Sequence, residues 1–250
     1  MGLFSKLFKK GSEPVEEIPQ ETKQVEQPVT IDMSKHQENL NKVVIDMSKG
    51  SKIDMSKHTA RVALAMDYSG SMSELYYSGA VQDVIDRLLP IALKFDDNGE
   101  LESWLFSTGY DSLPAVNINN RVGYVTNTMR ETKMTMGGTR YAPVLKDIVN
   151  YYKDKHPSDI PAFVMFITDG ENSDPRDTED IIRELSHYNM FVQFVGIGNE
   201  KFSFLENLDD LPGRETDNTG FIRVKDMGKM TDEKLYTEML RQYKDWLNKK

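Results

Sequence analysis

Arg61-Val-Ala-Leu-Ala-Met-Asp-Tyr-Ser-Gly-Ser-Met72 is an apolar run that stops abruptly at a carboxylate and two hydroxyls, Asp67, Ser69 and Ser71. Val62 to Met66 is short, continuously apolar and bounded by polar residues, which suits a strand buried on both faces of a parallel sheet. Ser69-Gly70-Ser71 has turn chemistry, and Val81, Val84, Ile85, Leu88, Leu89 and Ala92 then recur at helical spacing. The stretch reads as strand, polar loop, helix. Ligands of open α/β sheets gather at the carboxyl ends of strands, so Asp67, Ser69 and Ser71 stand where a binding site is expected.

The same grammar repeats downstream. Ala162 to Ile167 is a second continuous apolar run, ending in Thr168-Asp169-Gly170, and Phe191 to Ile197, apolar but for Gln193, is a third strand. Leu101 to Phe106 predicts another strand, Leu113 to Ile118 an antiparallel edge, Asn119 to Arg130 a short helix and Gly220 to Val224 a last strand. Met136-Gly137-Gly138-Thr139 precedes a helix marked by Tyr141, Val144, Leu145, Ile148, Tyr151 and Tyr152, with Pro143 tolerable in its first turn. Ile181, Ile182, Leu185 and Tyr188 mark a further helix, Phe202 to Leu208 one or two turns, and Asp232 to Leu247 a closing helix with one apolar face. This alternation predicts a doubly wound α/β fold, a mainly parallel central sheet with helices on both faces.

Asp67-Tyr-Ser-Gly-Ser71, with Thr139 and Asp169 following in order, resembles the metal-ion-dependent adhesion site of the von Willebrand factor type A family. The resemblance covers roughly residues 60 to 247 and implies the same Rossmann-like fold. It also implies a protein-interaction module rather than an enzyme. Ser69, Ser71 and Thr139 would ligate a metal directly, Asp67 and Asp169 directly or through water, and an Asp or Glu of a protein partner would complete the shell. The donor chemistry agrees: carboxylates and hydroxyls are hard oxygen ligands suited to Mg²⁺, with Mn²⁺ or Ca²⁺ as competitors. Residue by residue, a plainer reading is available, in which the serines form a turn and helix cap and Asp169 an Asp-Gly turn. An enzymatic alternative is magnesium-dependent phosphoryl transfer or hydrolysis using Asp67 and Asp169. Against it, Arg140 is the one basic residue in the matched loops, and no histidine stands there as a base. Glu171, Asn172 and Asp174 are candidates for the rim of the site.

The chain has 250 residues, a formal charge of −9 and no cysteine. The acidic balance argues against a general affinity for nucleic acid, and the lack of cysteine excludes disulfides and thiolate metal sites. No apolar run approaches the ~18 residues of a membrane span, and the expected location is the cytoplasm.

Composition divides the chain into three. Residues 1–29 join a basic amphipathic start, with Leu3, Phe4, Leu7 and Phe8 beside Lys6, Lys9 and Lys10, to an acidic, proline-containing linker. Residues 1–10 suit weak contact with a membrane surface or docking to a partner. Residues 30–59 carry the unit Ile-Asp-Met-Ser-Lys three times, at Ile31 to Lys35, Ile45 to Lys49 and Ile53 to Lys57. Its period of two suggests a β-ribbon, with Lys49-Gly50-Ser51-Lys52 turning the last two copies into a hairpin. Residues 60–250 form the α/β domain. Val44 to Lys57 is similar to the short Ser-Lys strand motif of proteins from bacterial tellurium-resistance clusters, which implies a stress-response setting with other tellurium-resistance proteins as partners.

Overall fold

The computed structural model describes residues 33–170 and 172–250, so the expectations for residues 1–29 fall outside the described residues. Six strands form one sheet: β1 Arg61–Asp67, β2 Leu101–Phe106, β3 Tyr110–Val116, β4 Ala162–Thr168, β5 Met190–Ile197 and β6 Thr219–Val224. Their order is β3-β2-β1-β4-β5-β6. All neighbours are parallel except β2 and β3, which pair antiparallel at the edge as the sequence predicts. β4 and β5 are buried along their whole length, which is why they read as apolar runs, broken only by Thr168 at the tip of β4 and the buried Gln193 within β5.

The chain moves outward from β1 through β2 and β3, then returns to lay β4 against the other side of β1. The order therefore reverses between β1 and β4. That reversal opens the crevice in which ligands of open α/β sheets bind.

Two cores sandwich the sheet. On one face Val62, Leu64 and Met66 of β1 pack with α1 Met33–Ser48, α3 Ala80–Phe95 and α8 Asp232–Lys249; the short α2 Ser73–Tyr77 and α4 Tyr124–Asn127 also lie on this side. On the other face Ala63 and Ala65 meet α5 Ala142–Asn150, α6 Pro175–Leu185 and α7 Ser203–Asp209. The two alanines leave room there for large rings. Phe106 and Phe166 lie 4.5 Å apart between centroids, and Tyr141 meets Phe166 edge-on at 4.8 Å.

The expected β-ribbon is not formed. The second Ile-Asp-Met-Ser-Lys copy ends α1, and the third lies in irregular turns after it. Leu40, Val43 and Val44 are buried and Met47 packs beside them, a spacing of three and four that selects helix over the five-residue repeat's alternation. The helix predicted over Asn119 to Arg130 is shorter, confined to α4 and one further turn at Met129–Glu131.

α1 is fastened to the domain by a buried polar joint. His36 Nδ1 lies 2.6 Å and Asn39 Nδ2 3.1 Å from the Asp232 carboxylate, whose other oxygen accepts from Arg87 Nε at 2.8 Å. The Arg87 guanidinium also donates to the carbonyls of Met227 and Met230. Burial alone would raise the Asp232 carboxyl, but hydrogen bonds from His36 and Asn39 and the neighbouring positive charges hold it below the usual range.

Candidate metal centre

Four of the five groups of the site lie at or just beyond the tips of β1 and β4. β1 ends at Asp67, which is fully buried. One carboxylate oxygen accepts from Ser69 N at 2.7 Å and the other from Thr168 Oγ1 at 2.6 Å. Ser69 Oγ lies 3.0 Å from Ser71 Oγ, and Ser71 Oγ donates to Asp169 Oδ1 at 2.8 Å. Four of the five predicted residues thus form one hydrogen-bonded chain across the reversal between β1 and β4.

Thr139 joins through its backbone. Gly70 N donates to Gly137 O at 3.0 Å, and Ser173 N and Oγ donate to Thr139 O at 2.8 and 2.9 Å. Its loop therefore bridges the β1 and β4 loops, while the Thr139 hydroxyl makes no hydrogen bond to the described residues. A Cβ on Gly137 would meet Thr108 Oγ1 at 2.8 Å, so a glycine is needed for this close approach.

Burial dominates the electrostatics. It pushes the Asp67 carboxyl up to about 6, against the hydrogen bonds from Thr168 and Ser69 and with the help of the Asp169 charge. Burial also raises Asp169, opposed by the Ser71 hydroxyl. Two carboxylates that resist ionisation, lined with hydroxyls, form a centre that a cation would relieve. Among the described residues no three His, Asp or Glu side chains gather. The donors available are therefore two carboxylates and a few hydroxyls, a set that fits a small hard divalent ion keeping some of its waters.

Three contributors were missed in the sequence. Thr168 locks the inner oxygen of Asp67; Tyr141 sends its hydroxyl to Gly170 O and Thr168 Oγ1; Tyr76 OH donates to Asp67 O at 2.8 Å. Thr168 did carry a signal, as the one hydroxyl inside an otherwise apolar buried strand.

The suggested acidic rim is corrected in part. Asp174 is buried and turned away from the site, accepting from Tyr141 N at 2.9 Å and Ala142 N at 3.1 Å at the start of α5. Asn172 donates to Asp174 and to Thr178. Both residues brace the loops, and Glu171 falls outside the described residues. Asp174→Ala should cost about 1–3 kcal/mol in urea unfolding, because two buried amides lose their acceptor. A loss below a few tenths would mean that water replaces the carboxylate.

The comparisons agree with this architecture. A family model described as the vWA found in the TerF C terminus matches residues 59–250. The uncharacterised protein YcbR of Bacillus subtilis (strain 168) is 38% identical over 211 residues, covering 81% of this chain and 86% of YcbR. Among solved structures, an aerotolerance-related membrane protein from Bacteroides fragilis superposes with a TM-score of 0.52 at 15% identity, covering 76% of this chain and 100% of that one. Proximal thread matrix protein 1 of the mussel byssus gives a TM-score of 0.51 at 15% identity over 76% of this chain, which spans 48% of the mussel chain. These two likenesses speak to the fold. The match along residues 59–250, together with the relationship to YcbR, makes this chain a member of the TerF-like family of von Willebrand factor A domains.

Proposed function

We propose that the protein is a metal-dependent interaction module of a bacterial tellurium-resistance or stress-response system. In this reading Asp67, Ser69, Ser71, Thr139 and Asp169 hold Mg²⁺, with Mn²⁺ or Ca²⁺ as alternatives, and a protein partner supplies an Asp or Glu. Domains of this family generally mediate protein–protein contacts, and the system is suggested by the name of the matching family. The observation that carries the reading is the chain Asp67, Ser69, Ser71, Asp169, whose ends belong to strands about a hundred residues apart in sequence: Ser71 and Asp169 are separated by 98 positions.

The bound ion would supply an electrophilic position open to an outside carboxylate. Asp67 and Asp169 balance its charge, the serine and threonine hydroxyls orient it, and Tyr141 and Thr168 keep the two loops in register. A phosphoryl-transfer reading is weaker. Arg140, the cation nearest the site in sequence, lies 3.6 Å from Asp174 and 4.0 Å from Asp177, and so faces α6.

Thr139→Ala tests the mechanism without changing the charge of the site. Proteins captured from bacterial cytoplasm on the full chain with Mg²⁺ should be lost with EDTA. They should bind the variant at least about tenfold more weakly, a difference of ~1.4 kcal/mol. A folded Thr139→Ala protein that captures the same partners at wild-type strength, with or without EDTA, would leave any bound ion a purely structural role.

A further inference from the structure

Neither of the two fully described copies of the Ile-Asp-Met-Ser-Lys repeat has a part in the metal centre of its own chain, yet they share a shape. One ends α1 and the other follows it, but Lys49 N donates to Asp46 O at 3.2 Å and Lys57 N to Asp54 O at 3.1 Å. The side chains repeat the pairing, with Lys49 Nζ 2.6 Å from Asp46 and Lys57 Nζ 3.5 Å from Asp54. In both copies the methionine turns inward, Met47 against the core and Met55 fully buried. The methionine fastens the turn, while the aspartate and lysine stand in solvent. Exposed pairs of this kind contribute about 1 kcal/mol at most, so stability gives little reason to present the same pair twice. In the second copy the neighbouring Ile45 is 55% exposed, although it is a large aliphatic side chain. Lys42 of α1 and Arg241 and Lys244 of α8 line the same surface as Ile45 and Asp46, with Glu233 as its other carboxylate.

The complementary surface lies beside the metal centre. A cleft of about 380 Å³ shares Ser71 and Asp169 with the site, and Met66, Met72, Val84 and Met227 give it an apolar floor. Methionine side chains repack readily around an aliphatic guest. Glu74 and Glu200 stand on its exposed edge, where Lys225 is the one lysine or arginine and Asp226 is already paired with Lys229 at 2.8 Å. The cleft thus has room for an aliphatic side chain and charge for a cation, next to a centre that calls for a carboxylate.

We propose that the metal centre and this cleft receive the repeat's outward turn from a second copy of the chain. Asp46 is the carboxylate, Ile45 enters the apolar floor, and Lys49 faces Glu74 and Glu200. The inference rests on the metal reading above and names the partner of that site. Each copy carries both halves on different surfaces. The contact is therefore heterologous, and it propagates into chains or rings rather than closing as a two-fold dimer.

Sedimentation of the full chain tests this. With Mg²⁺ it should form species that grow with concentration, and in EDTA it should be a monomer. Two variants disable one half each: Thr139→Ala in the site, and the combined Asp32→Ala, Asp46→Ala and Asp54→Ala in the ligand, which leaves no copy of the repeat to substitute. Each alone should self-associate at least about tenfold more weakly. An equal mixture should form a one-to-one pair and nothing larger. A mixture no more associated than its parts overturns the inference, as does association that persists in the triple variant. If Mg²⁺ raises the melting temperature but the chain stays monomeric, the inference fails and the metal reading stands. If Mg²⁺ does neither, both fail.

Discussion

Asp67→Asn is expected to stabilise the metal-free protein at pH 7 while abolishing its response to magnesium. The Asp67 carboxyl is fully buried, and burial lifts it from 3.8 to about 6. A group raised in this way contributes stability below its unfolded value and loses it as pH climbs through the folded one. At pH 7 the ionised side chain therefore costs on the order of 3 kcal/mol. Asparagine removes that cost and keeps the shape. Its amide oxygen can still accept from Ser69 N, and its NH₂ can donate to Thr168 Oγ1, whose own proton can turn to Gly170 O at 3.3 Å. Saturating Mg²⁺ should stabilise the wild type by about 2.7 kcal/mol at a hundred times its Kd, and the variant not at all. If Asp67 holds the ion as proposed, a proton competes with it there, and the wild-type response should fade as pH drops below about 6. Melting curves at pH 5 and 7, with and without Mg²⁺, read all of this. A variant that is less stable without metal yet still answers to it would show that the carboxylate serves the fold rather than a cation.

Arg87→Ala should be the most damaging of the changes considered, lowering stability by about 3–5 kcal/mol in equilibrium unfolding. The Arg87 and Asp232 side chains are only 9% and 10% exposed, so the pair is effectively desolvated. Truncation takes from Asp232 its arginine partner, leaving only the His36 and Asn39 contacts on its other oxygen, and strips two main-chain carbonyls of their donor. Arg87→Lys should recover little, because one ammonium cannot reproduce a fork that reaches Asp232, Met227 and Met230 together. A loss under about 1 kcal/mol for Arg87→Ala would mean that water enters the joint.

The strands were legible because burial on both faces writes itself as runs of apolar residues, in β1 and β4 and, apart from the buried Gln193, in β5. The carboxylates were legible for the complementary reason: Asp67 and Asp169 interrupt such runs where nothing in the core can accept a charge. What stayed hidden lies in contacts between distant segments. Asp174 looks like any loop carboxylate in sequence, and only the α5 amides reveal it as a brace. Arg87 sits in an apolar helix, where a lone arginine reads as solvent-facing until Asp232 is brought to it from 145 positions away. The repeat misled because its alternation and the helical spacing of Leu40, Val43 and Val44 compete, and packing against the domain decides between them.

The joint between α1 and α8 also sets an order of events during synthesis. His36 and Asp232 are 196 positions apart. At roughly 5–20 residues per second, about 10–40 s pass on the ribosome between the appearance of the two partners. Throughout that interval Leu40, Val43 and Val44 have only part of the surface that will finally cover them. The nascent chain must carry this greasy stripe incompletely covered until α8 emerges. A chaperone that binds short apolar helices would find its natural target there, and translation slowed over the stretch before α8 would lengthen its hold.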